Sequence, residues 1–308
     1  MRSQKSAFKL NGASERRRQR RLRRALSERR LVPLQAEKHV VSRAIRPPAV
    51  AGLFYPGEPD ELRRTVQSCL AAGRQRCAES PSSPPPKALI APHAGFVYSG
   101  PVAGSAYALL EPLRQRIRRV VLLGPSHRVA FRGLALSSAD AYRTPLGDVP
   151  LDRTAAEALA DLPQVRVLDA AHAEEHSLEV QLPFLQETLD TFTLLPIVAG
   201  EATPQEVAQV IESVWGGDET LIVVSSDLSH YQDYATARSL DQVTSTAIVA
   251  LCPEDMDEQS ACGRVPVRGL LVAARRRGLA ARALDLRSSG DTAGPRDRVV
   301  GYGAYALA

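Results

Sequence analysis

The chain contains six histidines, His39, His93, His127, His172, His176 and His230, and three of them occupy matching places. Each closes a short apolar run: Ala88-Leu89-Ile90-Ala91-Pro92-His93, Val120-Val121-Leu122-Leu123-Gly124-Pro125-Ser126-His127, and Leu221-Ile222-Val223-Val224-Ser225-Ser226-Asp227-Leu228-Ser229-His230. Such β-rich runs, bounded by Gly, Pro and Ser, read as buried strands of a mostly parallel sheet. In open α/β sheets, ligands bind in the crevice beyond the carboxyl ends of the strands. The pattern predicts three imidazoles at one edge of one sheet. Neutral imidazole is a ligand for borderline metals and is equally a base. One histidine at a strand end reads as a hydrogen-bonded structural residue; three at matching ends read as a shared site.

Other residues extend that chemistry. Cys262, in Ala261-Cys262-Gly263-Arg264-Val265-Pro266, precedes a predicted helix. The helix start, with Arg264 and Arg268, is expected to lower the thiol's pKa and make it a metal ligand or nucleophile. Cys69, Cys77 and Cys252 lack such support and read as structural. Asp227 shares a loop with His230 and is expected to orient it as a general base. His172-Ala173-Glu174-Glu175-His176 spaces two histidines at i, i+4. The zincin pattern needs Glu directly after the first His, and Ala173 stands there. Ser126, Ser226 and Ser229 raise a Ser-His-Asp hydrolase, but no Gly-x-Ser-x-Gly elbow accompanies them. Neither a Walker A nor a Gly-x-Gly-x-x-Gly sequence is present.

The elements that must position these groups alternate. Helices are predicted over Pro59–Ala72, from Pro101 to Leu110, from the cap Asp152 to about Asp161, over Pro204–Trp215 after the cap Thr203, over Arg238–Leu251, and over Val265–Arg277 closed by Gly278. Glu174–Leu189 is amphipathic, with Pro183 expected to bend or split it. Short strands and turns are expected between Phe131 and Pro150. Further strands are expected over Thr193–Val198, Ala281–Leu286 and Val299–Ala306. Strands alternating with helices give a three-layer α/β/α sandwich around a mostly parallel or mixed central sheet.

The 308 residues suffice for such a domain, and 44% of them are hydrophobic. No apolar run approaches the roughly 20 residues that span a bilayer. No secretory signal is visible, and four cysteines without framework spacing read as reduced thiols in a cytoplasmic protein. The net charge of +5 conceals a division: residues 1–46 hold 15 Lys/Arg and 3 Asp/Glu, leaving the remainder at −7. Residues 1–44 read as a basic, disordered extension, and 45–308 as the folded domain. Nucleic acid or anionic lipid would be a partner only through that basic segment.

Five motifs occur together in one order: Arg46-Pro47-Pro48-Ala49-Val50-Ala51-Gly52-Leu53-Phe54-Tyr55-Pro56, Pro92-His93-Ala94-Gly95-Phe96-Val97-Tyr98-Ser99-Gly100, Gly124-Pro125-Ser126-His127, Glu174-Glu175-His176-Ser177-Leu178-Glu179-Val180-Gln181-Leu182-Pro183 and Ser225-Ser226-Asp227-Leu228-Ser229-His230. That set resembles the Memo family, whose bacterial and archaeal members are called AmmeMemoRadiSam system protein B. The family is similar in fold to LigB-type class III extradiol dioxygenases, which use non-haem iron. The resemblance implies metal ligands at His93, His127 and Cys262. It implies Asp227 and His230 beside the metal, with His230 as the base, and His176 lining the pocket. The dioxygenases use two histidines and a carboxylate; a thiolate as third ligand is softer and adds copper(I) and zinc to iron as candidate metals. Two functions follow as expectations. One is a metal-dependent redox enzyme acting on a small molecule. The other is a non-catalytic protein that binds a metal, ligand or peptide and works with a radical-SAM partner.

Overall fold

The computed structural model describes residues 44–77 and 84–308. The basic extension, His39 and most of the Pro/Ser-rich loop after Cys77 lie outside these residues. Among the described residues there are twelve strands: β1 (Ile45–Arg46), β2 (Ala88–Ala91), β3 (Arg119–Pro125), β4 (Leu134–Leu136), β5 (Ala141–Thr144), β6 (Gly147–Pro150), β7 (Val165–Val167), β8 (Thr193–Ala199), β9 (Thr220–Ser225), β10 (His230–Gln232), β11 (Ala281–Ser288) and β12 (Val299–Leu307).

Nine of them form one mixed sheet in the order β10-β12-β2-β9-β3-β8-β4-β7, with β11 also paired to β12. Its centre, β2-β9-β3-β8, is parallel throughout. Antiparallel β12 and β4 flank it. The remaining strands, β1, β5 and β6, make a small separate sheet. The four parallel strands therefore end at one edge, and His93 and His127 each follow two residues beyond such an end.

Both faces of the central sheet are covered. Strand side chains alternate. Leu89, Val120, Leu122 and Val223 pack into one core, with Leu62, Val66, Val102 and Tyr107 from the helices Pro59–Cys77 and Phe96–Tyr107. Ile90, Val121, Leu123, Ile222 and Val224 pack into the other. There they meet Val207, Ile248 and Leu270 from the helices Pro204–Ser213, Tyr234–Val249 and Arg264–Arg277. Near-continuous apolar runs are what a strand buried on both faces requires. The architecture is the expected α/β sandwich.

Local chemistry sets the helix ends. Thr203 and Glu206 form a reciprocal capping box ahead of Pro204, and Asp152 accepts the amide of Ala155. Gly278 closes the last helix at φ 69°, the left-handed conformation that Gly adopts without a Cβ clash. Several boundaries differ from expectation: the first helix runs on to Cys77 rather than ending at Ala72, and the helix capped by Asp152 stops at Glu157 rather than near Asp161. The Pro101 helix begins at Phe96, so Pro101 lies inside it, where it has no N–H to give the carbonyl of Val97. The Arg238 helix begins at Tyr234, because Asp233 caps it by accepting the amides of Ala235 and Thr236. The Glu174–Leu189 segment is split, as its proline implies, into the short helices His176–Glu179 and Leu182–Thr188, with Pro183 opening the second.

The third histidine also differs. β9 stops at Ser225, and His230 instead begins β10, which pairs antiparallel to β12. It reaches the sheet edge through a loop rather than from a strand tip. Among the described residues, no helix is long and apolar enough to cross a membrane.

Candidate metal centre

His93 is 2% exposed, and its ring is oriented by a closed hydrogen-bond chain. Its Nδ1 lies 2.8 Å from Ser225 Oγ. The Ser225 hydroxyl donates to the carbonyl of Ser177 (2.6 Å) and accepts from Gln181 Nε2 (2.8 Å). The serine proton is thereby committed, so His93 Nδ1–H donates and the lone pair is on Nε2. Burial, reinforced by the neighbouring imidazoles, pushes the His93 pKa well below the usual range, so the ring is neutral.

His127 is fixed in the same manner by a carboxylate. Glu175 accepts its Nδ1–H (2.9 Å) and its backbone amide (2.6 Å). It accepts the amide of Ser177 as well (2.9 Å). Burial opposes the charge on Glu175, but these bonds outweigh it and hold the carboxyl down at about 2. A carboxylate behind an imidazole selects the tautomer and raises the basicity of the free nitrogen, as it does behind metal-bound histidines.

His176 follows Glu175 at the start of its short helix and stacks on His127, with ring centroids 4.6 Å apart. It meets His93 edge-on at 5.5 Å. Its Nδ1 is buried without a hydrogen bond, 3.4 Å from Glu175 Oε1. One nitrogen from each of His93, His127 and His176 lies within 4.8 Å of the other two. Three neutral-capable imidazoles, two of them held in the ligating tautomer and one with an orphaned buried nitrogen, suit a zinc, copper or iron ion. The donor set fits the implied metal.

Cys262 and the Asp227 loop complete the surroundings, with two corrections. Cys262 Sγ lies 3.1 Å from His93 Nε2, so the cysteine is at the cluster. Its thiol pKa is raised, not lowered: burial and the adjacent Asp227 carboxylate outweigh the helix start, and Arg264 faces Glu258 instead. Asp227 does not orient His230. Its Oδ1 accepts the backbone amide of His93 (2.7 Å), while the carbonyl of Leu228 accepts His230 Nδ1–H (2.8 Å). Burial pushes the Asp227 carboxyl up to about 7. Burial also lowers the His230 pKa, leaving a neutral ring with its Nε2 lone pair free.

His93, His127, His176, Asp227 and His230 line an open cavity of about 480 Å³, together with the aromatic walls Phe54, Tyr98, Tyr231 and Tyr302; Cys262 lies beside His93, outside that lining. A larger cavity of about 840 Å³, between Arg76, Arg238 and Arg287, has no histidine or cysteine in its lining.

Residues 46–306 match the family described as Memo-like protein. The chain belongs to the Memo family. A MEMO1 family protein of Methanopyrus kandleri is 35% identical over 280 residues, covering 84% of this chain and 97% of its own length. One from Methanosarcina barkeri is 36% identical over 273 residues, with 84% and 98% covered. One from Aquifex aeolicus is 35% identical over 273 residues, with 84% and 97% covered.

In this Memo-family chain the fold thus gathers the six residues that the resemblance implied, His93, His127, His176, Asp227, His230 and Cys262, at one sheet edge. His172 does not join them. It lies in a separate short helix, Asp169–Ala173, and bonds to Tyr142 and to the Ala135 carbonyl, so no zincin pair exists. Nor does Ser226 support a hydrolase: its hydroxyl donates to the Asp227 carbonyl and accepts the Gly263 amide. The roles of Glu175 and Ser225 have no signal in the sequence alone. Glu175 was visible as the acidic neighbour of His176, but its partner His127 is 48 residues away.

Proposed function

We propose that the chain holds one metal ion, iron in the first place and copper or zinc as alternatives, and catalyses a redox reaction of a small organic molecule in the cytoplasm. The observation that carries this reading is the convergence of three histidine nitrogens within 4.8 Å in the wall of an open cavity. His93, His127 and His176 hold the ion, with Cys262 as the adjacent sulfur ligand. A bound redox metal would supply Lewis-acid polarisation and one-electron chemistry. Ser225 and Glu175 fix the two imidazoles in register before substrate arrives. Phe54, Tyr98 and Tyr302 flank a flat substrate and shed water from it. His230, neutral and with Nε2 free, takes a proton from a substrate hydroxyl.

Oxygen uptake by iron-loaded full-length protein with a panel of catechols tests this reading. The expected result is substrate-dependent uptake that His230→Ala lowers by about 10²-fold or more without loss of iron. Absence of uptake across the panel, by protein with full iron content, counts against it.

A second reading, a binding protein that works with a radical-SAM partner, is favoured by one observation. Exposed apolar side chains belong to or adjoin the cavity lining: Tyr231 (65% exposed) lines the cavity, and Leu53 (80%) and Val97 (65%) each precede a lining aromatic, Phe54 and Tyr98. Apolar groups around a cavity mouth suit a covering protein. A metal-loaded chain that is catalytically inert yet co-purifies with such a protein supports this alternative.

A further inference from the structure

We infer that Tyr231 and Arg298 form a clamp at the rim of the metal-site cavity, selecting a flat organic molecule that carries one carboxylate or phosphate. The inference rests on the reading of that cavity as the substrate site.

Tyr231 sits where the pairing of β10 with β12 slips: His230 faces Val300 and Gln232 faces Val299, leaving Tyr231 as the bulged residue. Its φ is 59°, the left-handed conformation usually taken by Gly in such a bulge. A large aromatic side chain kept in that conformation, mostly exposed beside a site, is strain retained for the placement it gives. The bulge aims the ring at the cavity, of which Tyr231 is a lining residue.

Arg298, just ahead of β12, places its guanidinium over that ring at 5.2 Å from the centroid. Arg298 is the sole Lys or Arg among the residues lining the cavity. Among the described residues, no carboxylate lies within ion-pair reach of it, whereas Arg287 and Arg296 are engaged by Asp285 and Asp291. The one carboxylate in the lining, Asp227, faces the His93 amide. A guanidinium resting over a ring, with no carboxylate partner, keeps N–H donors for the fork geometry that matches carboxylate and phosphate. The aromatic walls match a flat body, and a cavity of about 480 Å³ matches a small molecule.

Titration calorimetry of the full chain, metal-free and iron-loaded, with benzoate, phenyl phosphate and uncharged benzamide as probes, tests the clamp. The parent is expected to bind one of the two anions about tenfold or more tightly than benzamide. Whichever anion binds more tightly identifies the group. Arg298→Gln should erase the preference, Arg298→Lys should restore part of it, and Tyr231→Gly should weaken both anions. All three variants should keep the parent's melting temperature and metal content. The preference in the metal-free form reports Arg298 alone, so failure of the metal reading and failure of the clamp are separable. The clamp is overturned if benzamide binds as well as both anions, if no probe binds the parent below about 10 mM, or if Arg298→Gln keeps the preference.

Discussion

Cys262 Sγ stands 3.1 Å from Nε2 of His93, the nitrogen that the Ser225 hydrogen bond leaves with its lone pair. A soft sulfur is thus placed beside a cluster of borderline nitrogens. Cys262→Ser keeps the size and replaces the soft atom. It is expected to lower copper(I) affinity more than iron(II) affinity, measured by chelator competition. Equal losses for the two metals would place the sulfur outside the coordination sphere.

Glu175 acts through His127. Glu175→Gln preserves shape but removes the charge behind the imidazole. Metal affinity is expected to fall about 10- to 100-fold with the fold intact, in the range for orienting carboxylates. Unchanged affinity would make Glu175 a merely structural anchor for Ser177.

The helix that presents His176 is held by a buried ion pair, Arg46–Glu179, 2.6 Å apart. Arg46 also donates to the carbonyls of His172 and Glu175, and Glu179 accepts from the amides of Ala49 and Val50 and from Tyr55. Removing one partner leaves the other charged and buried. Glu179→Gln is therefore expected to cost about 3–5 kcal/mol in urea unfolding and to reduce metal loading. A loss below about 1 kcal/mol would show that the remaining amide and hydroxyl donors suffice without the charge.

His172 sets a pH dependence of stability. The Ala135 carbonyl can only accept, so His172 donates from Nε2 and its Nδ1 accepts the Tyr142 hydroxyl. Burial is the main cause that lowers its pKa from 6.5 to about 4. The unfolded chain therefore binds the proton first as the pH drops. The contribution of the neutral ring is complete above 6.5 and is lost as pH falls from 6.5 to about 4, with an upper size of about 3 kcal/mol. His172→Gln should flatten that part of the stability curve in denaturant titrations between those limits. A variant curve parallel to the parent's would refute the assignment.

The sheet was legible because β2, β3 and β9 are apolar runs buried on both faces, and His93 and His127 each follow two residues beyond the end of their strand. His230 was harder to place, because the run continues past Ser225, the last residue of β9, into buried Ser226, whose hydroxyl bonds to the Asp227 carbonyl and the Gly263 amide outside the strand ladder. The strands β7 and β10 span three residues each, too few to show a period. The thiol shift at Cys262 followed burial, a property of packing rather than of neighbours along the chain. The same holds for Glu175 and Arg46, whose partners are 48 and 133 residues distant.

Metal analysis of full-length protein purified without chelator or affinity tag, beside His93→Ala, His127→Ala and His176→Ala, tests the central claim most directly. The account predicts a single tightly held ion in the parent, its loss in all three variants, and unchanged circular dichroism. Variants that hold as much metal as the parent would contradict it.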